Sequence, residues 1–293
     1  MQDFGSEIVV QCVHGEADVS HITNVLVPSL LKATKRNVHL VCLNFRGSTK
    51  VQNRFPVESR IKISSFTKST EVAAGFAENH NKLFKVAAES RDYFVIVNPD
   101  CILAEASIDI LVETYEKARG SAAIVEGRQW PFEHPKEFNS ATKETPWASG
   151  AFSLIDSRFY KEVGGMDENY FLYTEDVDLS WRAWLSGRKV LYERDAVVTH
   201  FTGGPFYRED TLELEKYFSL RNFIYISRKF FGKNGEEAAL RQLRLVLKRE
   251  FFEEIKDAYQ KMLANIKQVP SIENRGHAMV KITGVNLFHE VNK

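Results

Sequence analysis

The sequence predicts an α/β protein, with an open and mainly parallel sheet flanked by helices and a helical C-terminal extension. Three observations predict it. Short Val- and Ile-rich runs alternate with helical patterns through the first half. The run Tyr93 to Val97 is apolar at every position, as in a strand covered on both faces. Beyond Glu209 the spacing is helical to about Lys267, interrupted near Gly232 to Gly235.

In chain order, Ile8 to Val13 and Val38 to Leu43 read as strands around a helix over Val25 to Ala33. The Tyr93 to Val97 strand stops at Asn98-Pro99-Asp100. Ile108, Leu111, Val112 and Tyr115 then fall at helical spacing, with Gly120 placed as a C-terminal stop. Ala122 to Val125 is a further strand. From Arg128 to Trp147 the periodicity vanishes, and Pro131, Pro135 and Pro146 punctuate a segment longer than an ordinary connection. It carries Trp130, Phe132 and Trp147, and is expected to act as a lid rather than a static loop. Ser149 to Ile155 resumes a strand pattern, and Glu175 to Leu185 reads as a helix ended by Gly187. Lys189 to Glu193 and Ala196 to Phe201 read as two last strands. The expected division is an α/β domain over 1–205 and a helical extension over 206–293.

Composition narrows the function classes. Thirty-nine Lys+Arg balance 39 Asp+Glu in 293 residues, so no basic footprint for nucleic acid exists. A content of 44% hydrophobic and 27% charged residues supports a packed core. Cys12, Cys42 and Cys101 are odd in number and form no CxxC pair, which fits a reducing compartment. The start, MQDFGSE, lacks a basic region followed by an apolar one, and no run approaches the ~18 apolar residues of a membrane span. The expectation is a soluble cytoplasmic protein without a transmembrane segment.

Several residues could carry chemistry. Asn98 and Asp100 stand at the mouth of the buried strand, where a carboxylate can meet a cation bound to a diphosphate; the same triplet can simply make a turn. Glu175 and Asp176 open a helix, where carboxylates complement the helix dipole with or without a further role. Asp178 and Arg182 are spaced for an ion pair. His200 ends an apolar strand before Gly203-Gly204, and is either structural or a metal ligand. Gly75 to Asn81 has the polar density of a substrate-facing helix start. No phosphate-loop, GxSxG or HExxH pattern occurs.

In order, five elements resemble family 2 glycosyltransferases of the GT-A fold, notably bacterial rhamnosyltransferase-like members. These are Gly75-Phe-Ala with Asn81, Val97-Asn-Pro-Asp100, Ser149-Gly-Ala, Val163-Gly-Gly-Met-Asp167 running into Phe171-Leu-Tyr-Thr-Glu-Asp176, and His200. Arg221-Asn222 is also similar to the family's C-terminal region, and the resemblance spans about Gly75 to Arg228. It implies a Rossmann-like GT-A sheet and an inverting, nucleotide-sugar-dependent transferase. Asp100, with His200, would hold Mg2+ or Mn2+, and Asn98 stands at the first acidic position of the metal motif. Asp176 would be the catalytic base, with Glu175 beside it.

The same resemblance implies donor contacts at Asn81, Asn98, Asp100, Ser149 and Gly150, and acceptor contacts at Asp167, Trp147 and Tyr173. The N-terminal third departs from the family: Gln11 to Gly15 and Leu43 to Gly47 lack the usual nucleotide-binding residues, with Asn44 and Arg46 as substitutes. The implied partners are a dTDP- or UDP-sugar, with rhamnose the leading candidate, and a saccharide or lipid-linked saccharide acceptor, in surface polysaccharide synthesis at the inner membrane face. Two alternatives stand beside it: a catalytically silent nucleotide- or saccharide-binding protein, and a nucleotide-sugar hydrolase.

Overall fold

The computed structural model describes residues 7–52, 60–68, 74–134, 136–200, 209–274 and 276–282. Phe201, the Gly203-Gly204 pair and Pro135 lie outside them. Eight strands form one sheet: β1 (Ile8–His14), β2 (Val38–Asn44), β3 (Ile61–Thr67), β4 (Tyr93–Val97), β5 (Cys101–Leu103), β6 (Ala122–Pro131), β7 (Phe152–Asp156) and β8 (Lys189–His200). Their spatial order is β3-β2-β1-β4-β7-β6-β8-β5. The pairings β1–β2, β1–β4, β2–β3 and β6–β8 are parallel; β4–β7, β6–β7 and β5–β8 are antiparallel.

Alternate residues feed two cores. Ile8, Val10, Cys12, Leu40, Val95 and Val97 pack with the helices Val27–Ala33 and Ser107–Lys117. Val9, Val41, Phe94 and Ile96 pack on the other face, with the helix Phe76–Leu83 and the C-terminal helices Glu209–Val246 and Arg249–Asn265. Burial on both faces explains why β4 is apolar throughout. The three cysteines are buried and free. The C-terminal helices break at Gly232, whose φ of 66° lies outside the helical range.

Three sequence expectations change, the first being the strand expected from Ser149, which begins only at Phe152. β6 continues through Pro131 into the segment expected to be aperiodic, because Arg128 to Pro131 pair in register with Val197 to His200. The expected pair of strands after Lys189 is one strand, β8, whose exposed Arg194-Asp195 lies beside the register shift between Gly127 and Arg128. β3 and β5 carry weak periodicity, and the sequence did not announce them.

Candidate active site

Ligands collect at the carboxyl ends of strands where the order of a parallel sheet reverses, and here β1 has β2 on one side and β4 on the other. A cavity of about 680 Å³ opens there. Val13 near the end of β1 and Phe45 just after β2 enter its wall, Asn98 to Asp100 follow β4, and Ser149 to Ala151 precede β7. The loop Phe171–Thr174 and the helix start at Glu175-Asp176 close another side, with Glu215 and Ser219 from the helix Glu209–Val246. Five carboxylates line it (Asp18, Asp100, Glu175, Asp176, Glu215), and among the described lining residues there is no Lys or Arg.

At one end the short strand β5 turns the chain antiparallel to β8, setting Cys101 opposite His200. Asp100 Oδ1 thereby stands 3.3 Å from His200 Nε2, and Asn98 Nδ2 lies 3.4 Å from the same nitrogen. On the far side of the ring, His200 Nδ1 donates to Gln129 Oε1 at 2.7 Å. That bond places the proton on Nδ1 and leaves the Nε2 lone pair facing Asp100, the usual second-sphere arrangement for a histidine ligand. Burial opposes ionisation of Asp100; when His200 carries a second proton, on Nε2, its hydrogen bond and charge outweigh burial and hold the carboxyl below its ordinary value.

Asp100, Cys101 and His200 offer ligand atoms within 4.8 Å of one another. Burial holds the Cys101 group as a thiol, and its Sγ donates to the Ala151 carbonyl at 3.7 Å. A carboxylate and an imidazole nitrogen, with room for diphosphate oxygens, fit Mg2+ or Mn2+.

Asp176 stands elsewhere on the wall. Its Oδ2 accepts from the Gly150 N–H at 3.0 Å and its Oδ1 from the Val177 N–H at 2.8 Å. Ser180 Oγ donates to the Asp176 carbonyl at 2.7 Å and accepts from the Ala148 N–H at 3.0 Å, tying the helix to the Ala148–Ala151 segment. Burial raises the Asp176 carboxyl, with the Gly150 and Val177 amides and Lys136 opposing it. Glu175 is 4% exposed, and its Oε2 has no hydrogen-bond partner. Burial, then the charge of Asp176, pushes Glu175 up to about 8. The Asp176 charge thus favours the protonated form of its neighbour Glu175.

The structure gathers Asn98, Asp100, Trp147, Ser149, Gly150, Tyr173, Glu175, Asp176 and His200 around the one cavity. It places four other candidates elsewhere. Asn81 is buried outside the cavity; it accepts from Tyr160 Oη at 2.6 Å and the Met166 N–H at 3.0 Å, and donates to the Met166 carbonyl and Glu168. It pins the loop after Gly165 rather than a donor. Asp167 forms a buried ion pair with Lys229 at 2.7 Å and accepts from Tyr225 at 3.0 Å, so its carboxylate is consumed within the fold. Asn44 donates to Glu16 and to the Thr49 carbonyl, and the exposed Arg46 does not reach the lining. Phe45, between them, does.

The polar start of the helix Phe76–Leu83 is likewise mostly structural: His80 contacts Gln11 at 2.9 Å, and burial lowers its pKa to about 3. Trp147 is already packed. Its ring lies 5.4 Å from His134 and 4.2 Å from Lys136 Nζ, and Lys136 also bonds Glu126 in a buried pair. It forms part of the cavity wall, while Trp130 and Phe132 are 54% and 47% exposed. Gln129 and Lys136 were not singled out in the sequence. For Gln129 the continued alternation of β6 was the signal, since its neighbours Arg128 and Trp130 face out.

Several known proteins are similar to this chain. Residues 132–222 match the family described as "Glycosyltransferase like family 2". An N-acetylglucosaminyl-diphospho-decaprenol L-rhamnosyltransferase of Mycobacterium tuberculosis is 25% identical over 213 residues, 59% of this chain and 69% of that protein. A mannosyltransferase from Pyrobaculum calidifontis, solved with GDP-Man and Mn2+, has a TM-score of 0.53 at 11% identity, covering 89% of this chain and 81% of that one. GalNAc-T7, solved with UDP, GalNAc and Mn2+, has a TM-score of 0.58 at 13% identity, covering 91% and 57%. No helix among the described residues is long and apolar enough to cross a membrane. Residues 132–222 thus resemble the family 2 glycosyltransferases, the chain is similar in sequence to a rhamnosyltransferase, and its mixed eight-stranded sheet with C-terminal helices has the GT-A type of fold.

Proposed function

We propose that this protein moves a sugar, rhamnose first among the candidates, from a dTDP- or UDP-sugar to a saccharide or lipid-linked saccharide acceptor, inverting the anomeric carbon. The observation that carries the reading is a single cavity with Asp100 and His200 at one place and Asp176 at another. A donor diphosphate beside Asp100, Glu175 and Asp176 calls for a cation, since the described lining residues include no Lys or Arg. Asp100 and His200 would hold it, and when bound it offsets the charge that develops on the leaving diphosphate. Gln129 fixes the His200 tautomer, and Asn98 steadies the ring from the other side.

Asp176 takes the acceptor hydroxyl proton as the oxygen attacks, held toward the cavity by the Gly150 and Val177 amides. One base and one displacement invert the centre, and no second carboxylic acid is needed, unlike in glycosidases. Glu175 remains protonated beside it and limits the negative charge at the helix start. Phe45, Val13 and Asp18 face the nucleoside end in place of Asn44 and Arg46, while Trp147 and Tyr173 face the sugars. Synthesis of surface polysaccharide at the cytoplasmic membrane face is the setting consistent with the rhamnosyltransferase relative. The two expected units, 1–205 and 206–293, act as one in this reading, since Glu215 and Ser219 complete the cavity.

The test is thermal stabilisation by a panel of nucleotide sugars with Mn2+, repeated with chelator and with Asp100→Ala. A saturating donor at a hundredfold excess over Kd adds about 2.7 kcal/mol to native stability. Stabilisation lost on chelation and in Asp100→Ala supports the reading; indifference to both sinks the metal assignment.

A further inference from the structure

The loop before the carboxylates follows a backbone course its sequence does not favour. Phe171, Tyr173 and Thr174 have φ of 67°, 65° and 78°, and none is glycine. A Cβ makes such conformations costly, and they persist only where the surroundings impose them. Two neighbours impose this one. On one side Gly75 brings the start of the helix Phe76–Leu83 so near that the Phe76 N–H donates to the Phe171 carbonyl at 2.7 Å.

On the other side the helix Glu209–Val246 presents Asn222, fully buried. Its Nδ2 donates to the carbonyls of Leu172 at 2.8 Å and Tyr173 at 2.7 Å, with Tyr170 at 3.2 Å. Two protons serve three acceptors, so one is shared. Asn222 Oδ1 accepts from Arg221 Nε at 3.0 Å and Nη2 at 2.7 Å, and the same Nη2 reaches the Tyr170 carbonyl. The guanidinium thus fixes which end of the amide faces the loop, and neither residue lines the cavity.

We propose that Asn222, oriented by Arg221, is a positioning residue for sugar transfer, holding the strained Tyr170–Thr174 loop so that Tyr173, Glu175 and Asp176 face the cavity. The inference rests on the reading of Asp176 as base. Asparagine is the residue that suits the place: aspartate lacks the N–H donors, and leucine of equal size would leave three carbonyls and the Arg221 donors without this partner.

The experiment compares Asn222→Ala with Tyr259→Phe, which removes a 2.8 Å bond to Glu236 within the C-terminal helices and serves as a control for general loosening. Amide hydrogen exchange is followed across residues 170–176, UDP with Mn2+ is titrated, and kcat and KM are measured with the donor found by screening. Asn222→Ala should speed exchange across 170–176 by about tenfold or more and lower kcat by about tenfold or more. UDP–Mn2+ affinity and donor KM should stay within about threefold, because the diphosphate end is built by other segments. Tyr259→Phe should change neither.

Unchanged exchange in a folded Asn222→Ala protein overturns the proposal, as does faster exchange with unchanged kcat, or a loss that Tyr259→Phe reproduces. Where Asn222→Ala does not fold, Arg221→Lys, which keeps the charge and loses the fork, carries the same comparison. If the parent protein turns over no nucleotide sugar, the functional reading fails separately. The exchange arm then still decides: faster exchange across 170–176 upholds the clamp, and unchanged exchange removes it.

Discussion

Replacing Glu175 by glutamine keeps the side chain's shape and removes its ability to ionise, so it reads directly the burial of that carboxyl. Glu175 is 4% exposed with an unpartnered Oε2. Burial, then the adjacent Asp176 charge, raises its pKa from 4.5 to about 8. Between those values the folded protein keeps a proton that the unfolded chain has released, so stability falls as pH rises through the window. Above the folded value the whole penalty is present. At about 1.4 kcal/mol per unit the span is worth on the order of 3–5 kcal/mol.

Glu175→Gln should therefore be close to the parent at pH 5 and more stable at pH 8.5, by a few kcal/mol on that scale. Urea unfolding at the two pH values, with equal m-values as a check on the two-state analysis, measures the difference. The same stability change at both pH values would refute the reasoning, since it would mean that Glu175 ionises as easily folded as unfolded. Adding Asp176→Asn should shrink the effect, because the second cause of the shift is then gone.

Asp176→Asn alone should retain UDP–Mn2+ binding and lower transfer by about two orders of magnitude or more, as expected for loss of a general base; near-normal turnover of a folded variant would remove the assignment. Gly75→Ala should destabilise the fold by about 1–3 kcal/mol, since the new methyl would sit 2.2 Å from the Phe171 carbonyl oxygen. A variant melting with the parent would show that the close approach relaxes without cost.

Much of this architecture was legible because local pattern and tertiary role coincide. The all-apolar run Tyr93 to Val97 is β4 at its stated bounds, and Glu175 to Leu185 is a helix at its stated bounds. The site was legible where motifs fall at strand ends: Asn98, Asp100 and His200 come together because β5 and β8 pair. It was illegible where a polar residue serves the fold in place of the ligand. Asn81 and Asp167 belong to motif segments, yet one caps a loop and the other neutralises Lys229. Sequence cannot tell such uses apart, because both need the same donors and acceptors. The extent of β6 was hidden for another reason: Arg128 to Pro131 owe their strand geometry to β8, some seventy residues later in the chain.

The clamp on the Tyr170–Thr174 loop has a consequence for the order of assembly during synthesis. All eight strands lie before residue 201, so the sheet can pair while the C-terminal helices are still unmade. Asn222 and Lys229 arrive later. Until they do, the carbonyls of Tyr170, Leu172 and Tyr173 lack their amide partner, and Asp167 and Asp178 lack the ammonium that stands 2.7 and 2.6 Å from them in the finished protein. A nascent or truncated chain ending near residue 205 can thus own a complete sheet and an unset pair of carboxylates. The carboxylates are thus set after the sheet, timed by the emergence of the helix Glu209–Val246.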